Sequence, residues 1–312
     1  EKYGKRRIIY VVPFTSIIEQ NAAVFRKMLG EDAVLEHHCN FIPDDADWRT
    51  RLSTENWDAP VIVTTNVQFF DSFYANKPAK CRKLHNVANS VVIFDEIQAI
   101  PVERVKPCIE VLRELAQNYG TTSVLCTATQ PALQHRPEFK AGLENVKEIV
   151  EDVPSLFMVL KRTKERYIGE KDVPEIAERL SECHQVLCIV NTRKQALDVF
   201  NAVSRDIGAY HLSAAMYPRH RSRVLNEIRE RLSAGDPCRV VSTQLVEAGV
   251  DVDFPIVYRA VAGIDSIAQA AGRCNRNGRR KQPADVFVFH FPQNMRCRFF
   301  RKAAQAAEKL FE

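Results

Sequence analysis

The sequence predicts an α/β fold of two tandem domains, each built on a parallel sheet. Three observations predict this class: short apolar runs that end in polar residues, helical patterns between those runs, and a length of 312 residues. This length suits about two domains, and an apolar content of 46% is enough for ordinary globular cores. Strands that alternate with helices along a chain are typical of parallel sheets.

The first half of the chain contains four strand patterns. An apolar run at residues 7–13 precedes a helix at 17–29, and Ser16 with Glu19 predicts a capping box. A run at residues 60–65 precedes a helix that Asn66 is predicted to cap. The third run ends at Asp95 and Glu96, and the fourth covers residues 123–127 after a helix at about 103–118.

The second half repeats this layout, with Thr192 predicted to cap its first helix. The pattern between residues 137 and 174 is charged and mixed, which places the domain boundary near residues 152–166. The predicted domains are residues 1–155 and 156–295, followed by the start of a C-terminal linker helix in 296–312. The predicted second-half strands are 185–190, 210–212, 239–243, 255–258 and 285–289, and the predicted helices are 193–204, 219–232 and 266–271.

Composition excludes several classes of protein. No apolar segment approaches the roughly 20 residues that span a bilayer, so we expect a soluble protein without a membrane partner. The nine cysteines include no C-x-x-C pair, which favours a reducing cytoplasm over a disulfide framework or zinc site. We assign no metal to the neighbouring residues His37, His38 and Cys39, because sequence neighbours seldom converge on one ion.

Charge is uneven along the chain. The formal net charge is only +5, yet the segment from Arg259 to Lys302 holds ten Lys or Arg residues against Asp265 and Asp285. A basic face of this kind attracts the phosphates of a nucleotide or of nucleic acid, although many such faces are only solvated.

Asp95 and Glu96 are the strongest candidates for chemistry. In open α/β sheets, ligands bind beyond the carboxyl ends of the strands, where these two carboxylates would meet a nucleotide and its Mg²⁺. The first acid suits the metal, and the second suits a water molecule. The alternative is an acidic helix start, which the helix dipole favours without any chemistry.

Four segments in this order resemble the motifs of superfamily 2 helicases. They are Asp95-Glu-Ile-Gln98, Thr127-Ala-Thr129, residues 242–251 (STQLVEAGVD) and residues 269–276 (QAAGRCNR). Three further segments resemble, more narrowly, the CRISPR-associated helicase-nuclease family of type I systems: residues 13–20 (PFTSIIEQ), 65–70 (TNVQFF) and 246–254 (VEAGVDVDF). The resemblance covers nearly the whole chain.

This resemblance implies two tandem RecA-like domains that use ATP and Mg²⁺. In the family, the motor translocates on single-stranded DNA at a target that the RNA-guided CRISPR surveillance complex has opened. An attached HD nuclease domain cuts the strand.

The resemblance also implies residue roles at the nucleotide. It assigns Asp95 to Mg²⁺, Glu96 to the attacking water, and Arg273 and Arg276 to the γ-phosphate, where guanidinium groups neutralise charge well. Asp251 would contact the ribose or an ion network, and Gln98, Gly249 and Gln269 complete the implied nucleotide set. The alternatives are a solvated basic loop for the two arginines and an ordinary turn aspartate for Asp251.

The resemblance also implies a second set of residues, which would contact DNA or transmit movement. Thr127 and Thr129 would link hydrolysis to domain motion, although their hydroxyls would equally cap the following turn. The residues implied to hold the DNA backbone are Pro13, Thr15, Thr65, Gln68, Asn191, Thr192, Thr243 and Gln244. Such contacts position the strand without reading its sequence. Each of them alone has a structural alternative, because Thr and Asn at strand ends cap helices.

Two departures from the family pattern matter. Gln98 replaces the His or Asp usual at that position. The sequence also lacks the G-x-x-x-x-G-K-[ST] loop and any His-Asp pair, so we expect a fragment that begins downstream of that loop and omits the nuclease. Two rival interpretations remain open: another superfamily 2 motor acting on RNA or duplex DNA, and a non-hydrolysing binding or docking module.

Overall fold

The computed structural model describes residues 4–38, 53–127, 133–203, 208–247, 249–280, 282–292 and 307. The chain divides into two compact units, Glu1–Ile149 (unit 1) and Val150–Glu312 (unit 2). In the described ranges, no helix is long and apolar enough to cross a membrane.

Unit 1 is built on a five-stranded parallel sheet with the order β2-β3-β1-β4-β5. The central strand β1 pairs with β3 through Val12 and Thr65, and with β4 through Val11 and Phe94. Its strands are β1 (Ile8–Val12), β2 (Val34–His37), β3 (Val61–Thr65), β4 (Val91–Phe94) and β5 (Thr122–Leu125). All five carboxyl ends therefore lie at one edge of the sheet.

The helices of unit 1 bury apolar stripes against this sheet. Phe69 and Phe70 of one helix contact the ring of Phe94, and Leu112 and Leu115 of another lie in the same core. The helices are α1 (Thr15–Leu29), α2 (Asn66–Tyr74), α3 (Pro78–Cys81) and α4 (Val105–Asn118).

Two sequence predictions in unit 1 were wrong in detail, and one strand was missed. Helix α1 begins at Thr15 with the extended residue Phe14 as its N-cap, so Ser16 lies inside the helix instead of capping it. Thr65, not Asn66, caps α2, and its hydroxyl accepts a hydrogen bond from the Gln68 amide (3.1 Å). Strand β2 was missed because Glu36 and His37 interrupt its apolar run, although Glu36 is buried and paired with Arg26.

Unit 2 is built on a six-stranded parallel sheet with the order β6-β11-β10-β7-β9-β8. Arg259 of β10 is level with Ile189 of β7, which is level with Ser242 of β9. The strands are β6 (Thr163–Glu170), β7 (Gln185–Ile189), β8 (Ala209–Leu212), β9 (Cys238–Ser242), β10 (Val257–Ala260) and β11 (Ala284–His290).

Helices of unit 2 pack apolar residues against this sheet. The predicted cap is confirmed: the Thr192 hydroxyl accepts from the Gln195 amide, and the Gln195 side chain accepts from the Thr192 amide, both at 3.1 Å. The helices are α5 (Val153–Val159), α6 (Val173–Glu182), α7 (Arg193–Ala202), α8 (Pro218–Ala234) and α9 (Ile264–Ala271).

The charged stretch between residues 137 and 174 contains more regular secondary structure than its sequence pattern predicts. It contains α5 and the edge strand β6, whose exposed charged residues mask the alternation of a strand. The sequence-based boundary between residues 155 and 156 falls inside α5. The predicted linker helix in residues 296–312 lies outside the described residues, apart from residue 307.

Candidate functional site

The polar residues of unit 1 that the motifs single out follow strand ends at one edge of the sheet. Pro13 follows β1, Thr65 ends β3, Asp95 follows β4 and Thr127 comes two residues after β5. Because the strands are parallel and in register, these ends converge where ligands bind in open α/β sheets.

Two hydrogen bonds to the central strand β1 hold Asp95 in place. Its amide donates to the Val11 carbonyl (2.8 Å), and its carboxylate Oδ2 accepts from the Tyr10 hydroxyl (3.0 Å). Burial and, next, the charge of Asp95 raise the pKa of Tyr10 above its usual range, so the phenol stays protonated and remains a donor. Asp95 therefore presents a carboxylate of fixed orientation.

Glu96, Gln98 and Thr127 form one hydrogen-bonded chain. The Gln98 side-chain amide donates to the Glu96 carboxylate, and its oxygen accepts from the Thr127 hydroxyl at 2.5 Å. Glu96 adopts φ 51° and ψ 50°, a left-handed conformation that few non-glycine residues adopt. Gln98 thus joins the acidic motif to the motif of Thr127.

The donor set suits a magnesium ion held partly by other ligands. Mg²⁺ is commonly bound through one or two carboxylates, with water and substrate phosphates completing the shell. Asp95 with Glu96 beside it supplies that set. Among the described residues, no group of three or more His, Cys, Asp or Glu side chains forms a complete metal cage.

The other unit 1 candidates lie at the same edge but have local roles as well. Thr65 is 7% exposed and caps α2, while Gln68 is half-buried in the first turn of that helix. Thr15 begins α1, directly after the loop residues that follow β1. Thr129 lies outside the described residues.

In unit 2, Arg273 is buried and tied to backbone. Its Nε donates to the Val246 carbonyl (2.8 Å), and a terminal nitrogen donates to the Glu247 carbonyl (2.6 Å). Arg273 is 7% exposed, and Arg259 is fully buried, so two cations counted toward a basic face lie inside the unit. These contacts give Arg273 a structural role beside the implied one.

Arg276 is exposed and paired with an acid. Its Nε lies 2.9 Å from Asp251 Oδ1, and its amide donates to Asp253 Oδ1 (2.7 Å). Gly249 has φ 71°, a left-handed conformation that favours glycine, and Gln269 is half-buried on α9. Asp251 and Arg276, predicted separately from two motifs, are thus brought together.

The predicted DNA-contacting residues of unit 2 also follow strands at one edge. Asn191 comes two residues after β7, with Thr192 next to it, and Thr243 and Gln244 directly follow β9. Thr243 is 7% exposed, and the Gln244 amide lies 3.5 Å from Asn191 Oδ1. The structure brings these residues together within the unit.

Sequence reasoning missed four residues that shape these sites: Tyr10, Glu247, Asp253 and Arg259. Glu247 and Asp253 lie inside a quoted motif but were given no role. A signal for Arg259 was available, because a charged residue in a central apolar strand must find a partner. Tyr10 had no such signal, since it lies in an ordinary apolar run.

Models of two protein families match the chain. The one described as "DEAD/DEAH box helicase" matches residues 1–136, and "CRISPR-associated nuclease/helicase Cas3, C-terminal" matches residues 182–279. The chain is 25% identical to the CRISPR-associated nuclease/helicase Cas3 of Haloferax volcanii, over 87% of this chain and 41% of that protein. The chain is thus similar to superfamily 2 helicases of the Cas3 type over both of its units.

The chain spans less than half the length of such relatives. The Cas3 of Methanothermobacter thermautotrophicus is 28% identical over 60% of this chain and 24% of its own length.

Solved structures show the same fold. The crystal structure of T. fusca Cas3 with AMPPNP matches 98% of this chain and 43% of its own, with a TM-score of 0.71 and 18% identity. The S. cerevisiae protein Dbp5, bound to RNA and ADP BeF3, matches 99% of this chain and 76% of its own, with a TM-score of 0.63 and 16% identity. Units 1 and 2 are therefore two tandem RecA-like domains, as the sequence predicted.

Proposed function

We propose that the chain is the motor core of an ATP-dependent helicase or translocase that acts on single-stranded DNA in CRISPR interference. In this proposal it works in the cytoplasm with an RNA-guided surveillance complex and an HD nuclease domain. The observation that carries it is the chain of hydrogen bonds from Glu96 through Gln98 to Thr127, beside Asp95, at the carboxyl edge of the unit 1 sheet.

These residues suit phosphoryl transfer, in which the protein mainly positions groups and offsets charge. Asp95, oriented by Tyr10, would hold Mg²⁺, which would supply positive charge to neutralise the phosphates. Glu96 would accept a hydrogen bond from the attacking water and orient it. Gln98 fixes that carboxylate and would convey its state to Thr127. In unit 2, Arg273 and Arg276 are the proposed contacts for the γ-phosphate.

The experiment measures ATP hydrolysis by the full-length protein that contains this chain, with and without single-stranded DNA. We expect DNA-stimulated turnover in the wild type, its loss in Asp95→Ala and Glu96→Gln, and nearly unchanged DNA affinity, because the metal and water roles lie apart from strand contact. Glu103→Gln, an exposed carboxylate just downstream, is the matched control. Normal stimulated turnover in Glu96→Gln would contradict the catalytic assignment.

The same assay separates the rival functions. Backbone-tracking contacts alone do not choose between DNA and RNA, so single-stranded DNA, duplex DNA and RNA are compared as stimulators. Stronger stimulation by RNA or by duplex DNA favours another superfamily 2 motor. No turnover with any of the three favours a non-hydrolysing binding module.

A further inference from the structure

Unit 2 contains a fully buried ion pair that the motifs do not explain. Arg259 of β10 has no exposed surface, Glu247 is 6% exposed, and Arg259 Nε lies 2.8 Å from Glu247 Oε1. Burial raises the pKa of Glu247 and lowers that of Arg259, while each charge opposes the shift of the other. Removing two charges from water is costly, so such a pair is weak evidence of a purely stabilising role.

Arg259 also reaches the residues at the carboxyl edge of the sheet. One terminal nitrogen donates to Asn191 Oδ1 (2.8 Å) and to the Ala260 carbonyl (2.5 Å). The Asn191 side-chain nitrogen donates in turn to the Val261 carbonyl (2.8 Å), so both ends of this amide are engaged. Gln244 approaches the same Asn191 oxygen at 3.5 Å. The guanidinium therefore fixes how Asn191 faces Gln244.

Arg273 also contacts the segment 244–247, at the carbonyls of its last two residues. This segment forms one short 3-10 turn and then Glu247, whose side chain contacts Arg259 and Ser266. Arg273 donates to the carbonyls of Val246 and Glu247. A single segment thus links the residues implied to contact DNA with the arginine motif implied to contact nucleotide.

We propose that Arg259 and Glu247 are positioning residues that hold Asn191 and Gln244 in their strand-contacting arrangement and tie it to Arg273. This deepens the proposed function and rests on it. Movement of Arg273 would pull on the carbonyls of the segment, and the ion pair would transmit that movement to Asn191. The residues touch neither reacting atoms nor, in this proposal, the DNA.

The test separates positioning from mere stability by replacing the whole pair. Glu247→Leu with Arg259→Met removes both charges together, which avoids leaving one buried charge unpaired. Binding of fluorescent oligo-dT, thermal unfolding and hydrogen exchange of amides 244–247 are measured on the chain, and DNA stimulation of ATP hydrolysis on the full-length protein. The matched control replaces the half-exposed pair Arg166 and Asp285 (2.8 Å) in the same unit with Met and Leu.

We expect the apolar double variant to unfold near the wild-type temperature, to bind oligo-dT about tenfold more weakly, to exchange amides 244–247 faster and to lose DNA stimulation. Arg259→Lys keeps the charge but cannot contact Glu247 and Asn191 as a fork, so it should show the same defects. Arg259→Lys therefore still tests the proposal if the double variant does not fold. The control pair should change none of these readouts.

Two results overturn the inference. Wild-type affinity and exchange in a folded double variant, or in Arg259→Lys, would make the pair only structural and leave the proposed function intact. A wild-type chain that does not bind single-stranded DNA overturns the proposed function and this inference with it.

Discussion

The backbone of Glu96 is strained, and this strained conformation places its carboxylate next to Gln98. Its left-handed backbone (φ 51°) costs roughly 1–2 kcal/mol for a residue with a Cβ. The conformation is kept in place on both sides: the Asp95 amide is bonded to β1, and the Ile97 amide donates to the Cys126 carbonyl (3.2 Å). The strain lets Glu96 face Gln98 directly after the strand ends.

Tyr10 provides a test of how Asp95 is oriented. We expect Tyr10→Phe to weaken metal binding about tenfold, as loss of a partner that orients a ligand often does. Saturating Mg²⁺ should restore most of the turnover, because the Asp95 carboxylate itself remains. The measurements are Mn²⁺ binding by equilibrium dialysis with nucleotide present and the Mg²⁺ dependence of hydrolysis, both on the full-length protein.

Tyr74→Phe is the matched control for Tyr10→Phe. Tyr74 also lies in unit 1, but its hydroxyl donates to the Pro107 carbonyl (2.9 Å). It should lose the same kind of hydrogen bond without changing the metal dependence. Equal metal affinity in Tyr10→Phe and wild type would show that Asp95 needs no orienting donor.

Arg276 tests the implied contact with the γ-phosphate. We expect Arg276→Ala to slow turnover by about 10³-fold, with a much smaller change in ATP affinity, as for an arginine finger. Lysine should not rescue it, because the planar fork that also meets Asp251 is lost. Steady-state hydrolysis by the full-length protein measures both effects.

The exposed neighbour Arg279 supplies the control for Arg276. Arg279→Ala removes the same charge from the same loop, so it should leave turnover near that of the wild type. Near-normal rates in Arg276→Lys would point to a simple point charge instead of a fork.

At the residue scale, sequence could place Asp95 and Glu96 but not their partners. An apolar run that stops at two acids locates them at a strand end without any knowledge of the neighbouring strands. Tyr10 reaches Asp95 only because β1 pairs with β4 so that Tyr10 is level with Ile93, two residues before the acid. The register between two strands that are distant in sequence cannot be predicted from the residues of either strand alone.

At the scale of elements, the long apolar patterns were predicted well and the short or charged ones were not. Strand β3 is buried along its whole length and β7 apart from its first residue, and β1, β4 and β9 also stand out as apolar runs. Strand β6 lies at a sheet edge, where charged residues protect against pairing with other chains and also erase the pattern.

Thr192 allows the capping role of one residue to be tested separately from its implied DNA contact. Thr192→Ala should lower the free energy of unfolding by about 1 kcal/mol, because the first amides of α7 lose their acceptor. Thr192→Asp should keep the cap, since aspartate is a good N-cap, but should repel DNA phosphates. Chemical denaturation and oligo-dT binding measure the two effects.

Thr192→Ser is the conservative control and should resemble the wild type in both assays. If Thr192→Asp binds DNA like the wild type, capping is the whole role of Thr192, and the implied DNA contact is wrong.

At the scale of the whole molecule, net charge gives only a weak indication of what binds. The excess of +5 is small, and two of the cations in its basic segment, Arg259 and Arg273, are buried. Among the described residues of that segment, Arg276, Arg279 and Arg280 are exposed cations. The formal charge therefore does not by itself locate a DNA-binding surface.

The chain of residues 1–312 is expected to bind single-stranded DNA weakly and not to hydrolyse ATP. Binding should fall steeply with salt, with a slope of about −0.7 in log K against log salt for each phosphate neutralised, because counterions are released. Hydrolysis should fail because the sequence contains no G-x-x-x-x-G-K-[ST] loop, whose amides and lysine hold the β- and γ-phosphates in position for Asp95 and Glu96. The measurements are a salt-titrated binding curve and a steady-state ATPase assay with saturating single-stranded DNA. Robust DNA-stimulated turnover would mean that other residues of the chain build the phosphate site, and salt-insensitive or absent binding would remove single-stranded DNA as its ligand.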